Sequence, residues 1–301
     1  MRPPLFEEER FSDAAEFLDA LSLRGRRLPE PRRWVFRGQA RSEWKLLPSI
    51  FRSRGFGQYQ PNEAGPGLYH LDSDQDQSEA EARILHDFAR EADSIGLHVP
   101  GFAEFGAAAY TAIGSPERWI PDERLELAAL AQHHRLPTRL LDWTRRPLLA
   151  TYFAASGAAR ERARGDSESG MLSVFALRTD GLRSMFDRDV VVVEVPRSAN
   201  SNLHAQHGLF TVDRHHPRKI RSLPPDVVPL EERVAQVQTT RFGFPQLRKL
   251  SLAWAEVPKL MQYLAEEGIS AGTIYPGYEG AALAVEERVW CADWSAQNRA
   301  R

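Results

Sequence analysis

Cysteine and long hydrophobic runs are nearly absent from this chain of 301 residues. The single cysteine, Cys291, cannot close a disulfide within the chain, and zinc sites built from several cysteines are excluded. Such cysteine usage is typical of a reducing compartment. No stretch approaches the about 20 apolar residues that span a bilayer, and the first residues lack the apolar core of a signal peptide. We therefore expect a cytoplasmic protein that has no membrane partner.

An excess of charge of one sign is also missing, because the formal net charge is −2. No global basic field would draw the chain to nucleic acid. Arginines in 160–164 alternate with acids and are interpreted as a solvated loop, whereas the basic residues in 214–221 are a better candidate for phosphate contact. Histidines 204, 207, 215 and 216 follow no standard metal spacing, so no metal is expected.

Several well-known catalytic motifs are lacking as well. The chain has no Walker A sequence, no Rossmann glycine fingerprint, no HExxH and no nucleophile elbow. A metal-dependent nuclease or hydrolase would need a carboxylate or histidine cluster that the sequence does not show. The chemistry of the chain must therefore be sought in a less familiar arrangement.

The apolar periodicity predicts an α+β protein whose helical first half packs on a β-rich core. No linker divides the chain, so residues 1–301 are predicted to form one domain, with mobile loops near 53–78 and 159–170. The strand at 190–195 is β-branched throughout and is predicted to be central. Helices are predicted at 14–23, 78–93, 122–134, 148–158, 257–267 and 280–288, and strands at 34–36, 171–177, 190–195, 209–212, 250–253 and 273–275.

The stretch 132–144, QHHRLPTRLLDWT, is the most unusual part of the chain. Pro137 breaks any helix there, and ionisable residues stand directly beside leucine and tryptophan. Neither a helix nor a strand can bury such a run on one face. The pattern is typical of a strand edge or loop that lines a pocket.

Further motifs precede and follow this stretch. In chain order the whole set is Phe36-Arg37-Gly38-Gln39, Trp44, Leu47-Pro48-Ser49, Arg52, Gln132-His133, Pro137 to Thr144, Ala150, Tyr152-Phe153-Ala154, Gln206, Gly208, Phe210-Thr211, Thr273 to Pro276 and Glu279-Gly280. Taken in this order, these motifs resemble the FRG domain, a bacterial and phage-associated family named for its Phe-Arg-Gly signature. The resemblance extends from Trp34 to about Glu286, and its long middle motif is specific.

The order of these segments is also similar to that of ADP-ribosyltransferases of the arginine–serine–glutamate type. This resemblance implies an enzyme of that fold that transfers ADP-ribose from NAD to a protein or nucleic-acid acceptor. It implies a toxin or phage-defence component, with an antitoxin or immunity protein as partner. In those transferases a late glutamate precedes a Leu-Phe strand, but the matching place here carries Gln206.

The resemblance implies a role for each candidate residue. Arg37 would hold the NAD diphosphate or ribose, His133 would orient the pocket or carry a proton, and Gln206 or Glu279 would hold the nicotinamide ribose. Aromatic side chains would stack on a ring of the ligand. The residues implied to bind substrate are Gly38, Gln39, Thr138, Arg139, Asp142, Trp143, Thr144 and Tyr152.

Each candidate also has a structural interpretation that the sequence leaves open. Arg37 could pair with Asp142, and His133 could cap the end of a helix. A buried pair with a carboxylate is the commoner outcome for Arg139, and Trp143 is more often a core residue. The alternative function is a non-catalytic module that binds a nucleotide or nucleic acid through Arg37 and Arg139.

Overall fold

A computed structural model describes residues 6–22, 25, 27–51, 74–101, 119–165, 169–186, 190–194, 208–214, 228–236 and 245–300. Within these residues seven strands form one mixed sheet in the order β1-β7-β4-β2-β3-β6-β5. The strands are β1 (Phe6–Phe11), β2 (Trp34–Gln39), β3 (Leu140–Thr144), β4 (Met171–Arg178), β5 (Val190–Val193), β6 (Gly208–Asp213) and β7 (Leu247–Ala253).

The helices complete an α+β fold, which confirms the predicted class. They are α1 (Ala14–Leu21), α2 (Asp74–Ser94), α3 (Leu125–His133), α4 (Pro147–Ala163), α5 (Leu182–Met185), α6 (Leu230–Gln236), α7 (Val257–Glu266), α8 (Ala271–Ile274) and α9 (Tyr278–Ala300). None of the described helices combines the length and the apolarity that crossing a membrane requires.

The sheet carries the larger helices on one face. Helices α1, α4, α7 and α9 pack with β2, β4 and β7 around one apolar cluster, and α2 and α3 pack with β3, β5 and β6 around a second. The opposite face is covered by α5, α6 and the segment around Leu46. Alternation along each strand divides the side chains between these faces, as in any sheet that is covered on both sides.

The joint between β2 and β3 is the weakest in the sheet. These strands share a single antiparallel register pair, Phe36 with Thr144, whereas β2 makes six pairs with β4 and β3 makes five with β6. From Phe36 toward Gln39, β2 makes no further register pair with β3. The sheet therefore has a gap that separates β2, with Arg37-Gly38-Gln39 at its end, from the Asp142 region of β3.

Helix α4 lies directly behind this gap and packs unusually close to β2. A Cβ atom added to Gly38 would lie 1.9 Å from the main-chain oxygen of Ala150 and 2.8 Å from the nitrogen of Ala154. Only glycine fits where backbone meets backbone so closely. Pro147 occupies the first turn of α4, where its missing N–H costs no helical hydrogen bond.

Several sequence predictions need correction. The strand at 190–193 lies at one edge of the sheet and not at its centre, since it pairs only with β6 among the described strands. Residues 273–275 are not a strand, because Thr273 and Ile274 belong to α8. Three of the seven strands precede residue 145, so the first half is not simply helical.

Both predicted loops were also too long, because helices extend into them. Helix α4 continues to Ala163, into the predicted loop 159–170, and α2 starts at Asp74, inside the predicted loop 53–78. Residues 52–73 and 166–168 lie outside the described residues. The final helix is much longer than 280–288, and β1, α5 and α6 had not been predicted.

Candidate functional site

An open hollow of about 260 Å³ occupies the gap between β2 and β3. Its walls come from four elements: β2, β3, the start of β6, and Phe153 on α4. Most of the wall is apolar or aromatic, and Arg37 and Asp142 supply the charge. The lining residues are Phe36, Arg37, Gly38, Asp142, Trp143, Thr144, Phe153, Gly208, Leu209 and Phe210.

Arg37 bridges the gap where the strands diverge. Its Nη1 donates to the main-chain oxygen of Asp142 at 2.9 Å and lies 3.4 Å from the Oδ2 atom of the same residue. The side chain of Arg37 is only 14 % exposed, while that of Asp142 is 61 % exposed. The Nε atom of Arg37 is buried and has no hydrogen-bond partner among the described residues. A buried donor left in this state is costly, and a ligand that rearranged the fork could satisfy it.

A chain of side-chain hydrogen bonds holds Asp142 from the other side. Gln132 donates from Nε2 to Oδ1 of Asp142 at 2.6 Å, and its Oε1 accepts a hydrogen bond from Thr138 Oγ1. The hydroxyl of Ser49 accepts from the Thr138 nitrogen at 3.1 Å and donates to the Thr138 oxygen at 3.2 Å. Arg37, Asp142, Gln132, Thr138 and Ser49 therefore form one continuous network, and it fixes the orientation of the carboxylate.

The two residues that follow Asp142 are buried and hydrogen-bonded. Trp143 is 2 % exposed, and its indole nitrogen donates to Thr211 Oγ1 at 2.9 Å. Thr144 is 3 % exposed, and its Oγ1 accepts from the nitrogen of Arg146 at 3.1 Å, which shapes the turn into α4. Both residues line the hollow with only a small part of their surface, so they form its wall.

Gln39 lies beside the hollow and faces a row of buried polar groups. It pairs across the sheet with Ser173, which in turn pairs with Ser251. Gln39 Nε2 donates to the main-chain oxygen of Lys45 at 3.3 Å, but its Oε1 is buried without a partner among the described residues. The same is true of both serine hydroxyls. Gln39 is therefore sealed inside the sheet and is not on the wall of the hollow.

Arg139 occupies a structural ion pair. Its guanidinium makes a two-point contact with Glu81, at 2.9 Å from Nε to Oε2 and 2.7 Å from Nη2 to Oε1. Trp119 also donates to this carboxylate, at 2.6 Å. Arg139 and Glu81 are 4 % and 5 % exposed. The buried pair that the sequence left open for Arg139 is present, and this residue does not reach the hollow.

Tyr152 is a core residue and not a stacking platform. It is fully buried on α4, and its hydroxyl donates to Glu287 of α9 at 2.7 Å. Ser156 donates to the same oxygen at 2.5 Å. Burial and the neighbouring carboxylate raise the pKa of Tyr152. The aromatic wall at this helix is supplied instead by the next residue, Phe153.

The predicted proton carrier and the late acid are not among the lining residues. His133 ends α3 on the surface, with its ring 5.1 Å from that of His134. Partial burial and the charge of His134 lower the pKa of His133, so the neutral ring is favoured near neutral pH. Glu279 is exposed in the first turn of α9, which contributes nothing to the described wall. Gln206 lies outside the described residues.

Sequence reasoning missed some residues that shape the site. Gln132 and Ser49 stand inside the quoted motifs, but nothing in their spacing showed that they hold Asp142. Phe153 was part of a quoted motif, and its neighbour was chosen instead. Among the described residues no group of three or more histidine, cysteine, aspartate or glutamate side chains could hold a metal ion.

All members of the network from Arg37 to Ser49 lie within one continuous part of the chain. The FRG domain family matches residues 32–163, which include β2, α3, β3 and α4. This chain contains an FRG domain. The FRG match covers both sides of the gap, while the β6 wall comes from residues beyond it. None of the curated proteins and none of the solved structures matches the chain.

Proposed function

We propose that the hollow beside Arg37 binds a nucleotide, and that the FRG-domain chain is an ADP-ribosyltransferase-like enzyme that uses NAD. The observation that carries the proposal is the bridging guanidinium, which has one buried donor unsatisfied and stands between diverging strands. A planar fork of donors suits a diphosphate, because it donates two hydrogen bonds at once. The aromatic walls suit a flat ring.

The size of the hollow supports a nucleoside-sized group inside it. Sites for small molecules usually enclose roughly 300–1,000 Å³, and the hollow of about 260 Å³ is just below that range. A whole dinucleotide would therefore extend past the rim. The half that enters would place its ring against Phe153 and its phosphate near Arg37.

The reaction needs one acid group at the ribose, and Asp142 is the only carboxylate among the described lining residues. In the transfer the bond between the ribose C1′ and the nicotinamide nitrogen breaks, and nicotinamide leaves with the electron pair. The acceptor's nucleophile then bonds to C1′ and loses its proton to a base. We assign to Asp142 the stabilisation of the positive charge that develops on the ribose, and the role of that base.

The alternative is a nucleotide-binding module without turnover. It is favoured by the hydrogen bonds that already engage Asp142 on both oxygens, from Gln132 and from Arg37. A carboxylate that accepts hydrogen bonds on both oxygens holds the two sides of the gap together. In a binding module this structural role would be the whole role of Asp142.

The experiment that tests the proposal mixes the full chain with NAD, with and without a bacterial cell extract, and measures free nicotinamide and nucleotide binding. The proposal expects release in at least one condition, and loss of release in Asp142→Asn with binding retained. Binding without release in both conditions favours the module. Arg10→Ala is the matched control, since Arg10 is exposed and at a distant edge of the sheet.

Arg37 itself is tested by Arg37→Lys and Arg37→Ala. Charged hydrogen bonds are each worth about 1.5–3 kcal/mol, so losing the fork should weaken NAD binding about 10- to 100-fold. Lysine keeps the charge but not the two-point geometry, and should recover little. If both variants bind NAD as the parent chain does, the hollow is not the nucleotide site.

The cellular role that we propose is that of a toxin or phage-defence component, held in check by an antitoxin or immunity protein. Its support is the family resemblance and the proposed chemistry, with a protein or a nucleic acid as the acceptor. Expression in bacteria should arrest growth, and Asp142→Asn should relieve the arrest at equal protein level. Growth unaffected by the parent chain would contradict this role.

A further inference from the structure

The C-terminal helix α9 displays an apolar stripe that nothing in the described structure covers. Tyr278 is 96 % exposed, Val285 52 % and Val289 53 %. With the exposed alanines 282 and 292 they form a series whose spacings alternate between four and three residues. This alternation is the a/d seam of a coiled coil, in which one stripe stays directed at a partner helix.

The other side of α9 already holds the helix to the body of the protein. Glu287 is buried against α4, and Trp294 is buried in the main apolar cluster with Leu283, Ala284 and Trp290 packed against that cluster. In heptad terms these residues occupy positions other than a and d. The helix is thus already folded and oriented, so a partner would not have to pay for ordering it.

The charges beside the stripe indicate which partner fits. Taking Tyr278 as d, the e positions are Glu279, Glu286 and Asp293, and the only charged g position is Arg288. All four are exposed. In a parallel pair of identical helices, g of one chain meets e of the next heptad of the other, so Arg288 meets Asp293 twice. An antiparallel pair would instead bring the acidic e positions together.

Within the described part of α9 these charged residues do not form the ion pairs that usually stabilise a helix surface. Glu286, Arg288 and Asp293 have no oppositely charged residue three or four positions away among the described side chains, although such pairs are the usual reason for charges on a helix surface. No ion pair involves them in the described part of the chain. Exposed valines flanked by unused, self-complementary charges are the pattern of a homotypic contact.

We propose that two copies of this chain associate through the stripe Tyr278, Ala282, Val285, Val289 and Ala292 as a parallel two-helix seam. The contact spans two heptads and falls among small interfaces, below about 1,200 Å² of total buried surface. The dimer is therefore weak and forms as concentration rises. It does not depend on the nucleotide site or on its proposed function.

The test is sedimentation of the full chain over a range of concentrations. The mass should rise from one chain toward two, and Val289→Glu should raise the dissociation constant at least tenfold. Ile95→Glu is the matched control, because Ile95 is a branched aliphatic residue, 72 % exposed, and lies outside α9. A mass that stays at one chain, or an equal effect of both variants, overturns the proposal.

Orientation is tested by exchanging the charges. Arg288→Glu and Asp293→Arg should each weaken association several-fold, and the double variant should restore it, because the pair is re-formed with reversed sign. All three variants lie on the surface, and their thermal midpoints show that folding is retained. Association unchanged by either single variant, or no recovery in the double variant, overturns the parallel arrangement.

Discussion

At the scale of single residues, two side chains of the same type contribute to the site in different ways. Arg37 and Arg139 are both arginines in signature motifs, but their surroundings in the structure differ. Arg37 reaches the wall of a hollow with a donor unsatisfied, while Arg139 is enclosed with Glu81. Their roles could not be separated from sequence, because the partner of Arg139 lies 58 residues earlier, on a helix with its own pattern.

Replacing Arg139 by alanine should destabilise the protein without touching the nucleotide site directly. Removing one partner of a buried ion pair typically costs about 3–5 kcal/mol, since the other charge is left uncompensated. Urea denaturation measures the loss. The double variant Arg139→Met with Glu81→Leu should recover most of it. A single variant as stable as the parent would show that water reaches Glu81.

Gly38 should tolerate no side chain. A Cβ atom there would overlap backbone atoms of α4, which cannot move without displacing the helix. We expect Gly38→Ala to lower the free energy of unfolding by about 3 kcal/mol or more, at the upper end of overpacking effects. Gly272→Ala is the control, because its nearest neighbour would be a serine hydroxyl at 3.8 Å. Thermal denaturation of both variants decides.

At the scale of elements, periodicity predicted the helices whose apolar face meets the sheet and failed where tertiary contacts dominate. The strand at 273–275 was inferred from Thr-Ile-Tyr, but Ser270 and Thr273 form a reciprocal cap that begins the short helix α8. The edge position of β5 could not be predicted from its sequence, because a run of four valines suits a central strand equally well. Which strand neighbours which is set by pairing across the chain.

The partly buried Cys291 of α9 should make the protein less stable at alkaline pH. Burial, and then Glu287, raise the pKa of Cys291 from 9.0 to about 11. The unfolded thiol loses its proton first, so the unfolded state binds fewer protons and stability falls as pH rises from about 9 to 11. Cys291→Ala should flatten this decline in denaturation curves. Alkylation of the native thiol near pH 9 should also be slow compared with a free cysteine.

At the scale of the whole molecule, the sheet consists of two groups of strands, β1-β7-β4-β2 and β3-β6-β5. They are joined by the single register pair between β2 and β3. Six pairs hold β2 to β4 and five hold β3 to β6, while one pair joins β2 to β3. The stretch 132–144 predicted a strand edge or loop that lines a pocket, and its Asp142, Trp143 and Thr144 do line the hollow. The gap itself could not be predicted, since it depends on where β2 and β3, which are far apart in the chain, stop pairing.

A nucleotide that binds across the gap between β2 and β3 should stabilise the whole protein. A ligand at 100 times its dissociation constant adds about 2.7 kcal/mol to the free energy of unfolding. We expect NAD to raise the thermal midpoint of the parent chain and to slow amide hydrogen exchange in β2 and β3. Arg37→Ala should abolish the shift. A shift that persists in this variant would place the nucleotide elsewhere on the molecule.

The parallel pairing of β1 with β7 has a consequence for how the protein is made. Phe6 pairs with Leu247, so two strands more than two hundred residues apart in sequence lie side by side. The ribosome releases β1 long before β7 exists, and until then the six residues have no described neighbour to bond with. Such distant pairing is slow to form, since a long loop must close first. Completion of the sheet is thus a late event, after synthesis has passed residue 253. In partial chains arrested before that point β4 lacks its partner β7, and such an unpaired strand edge favours aggregation.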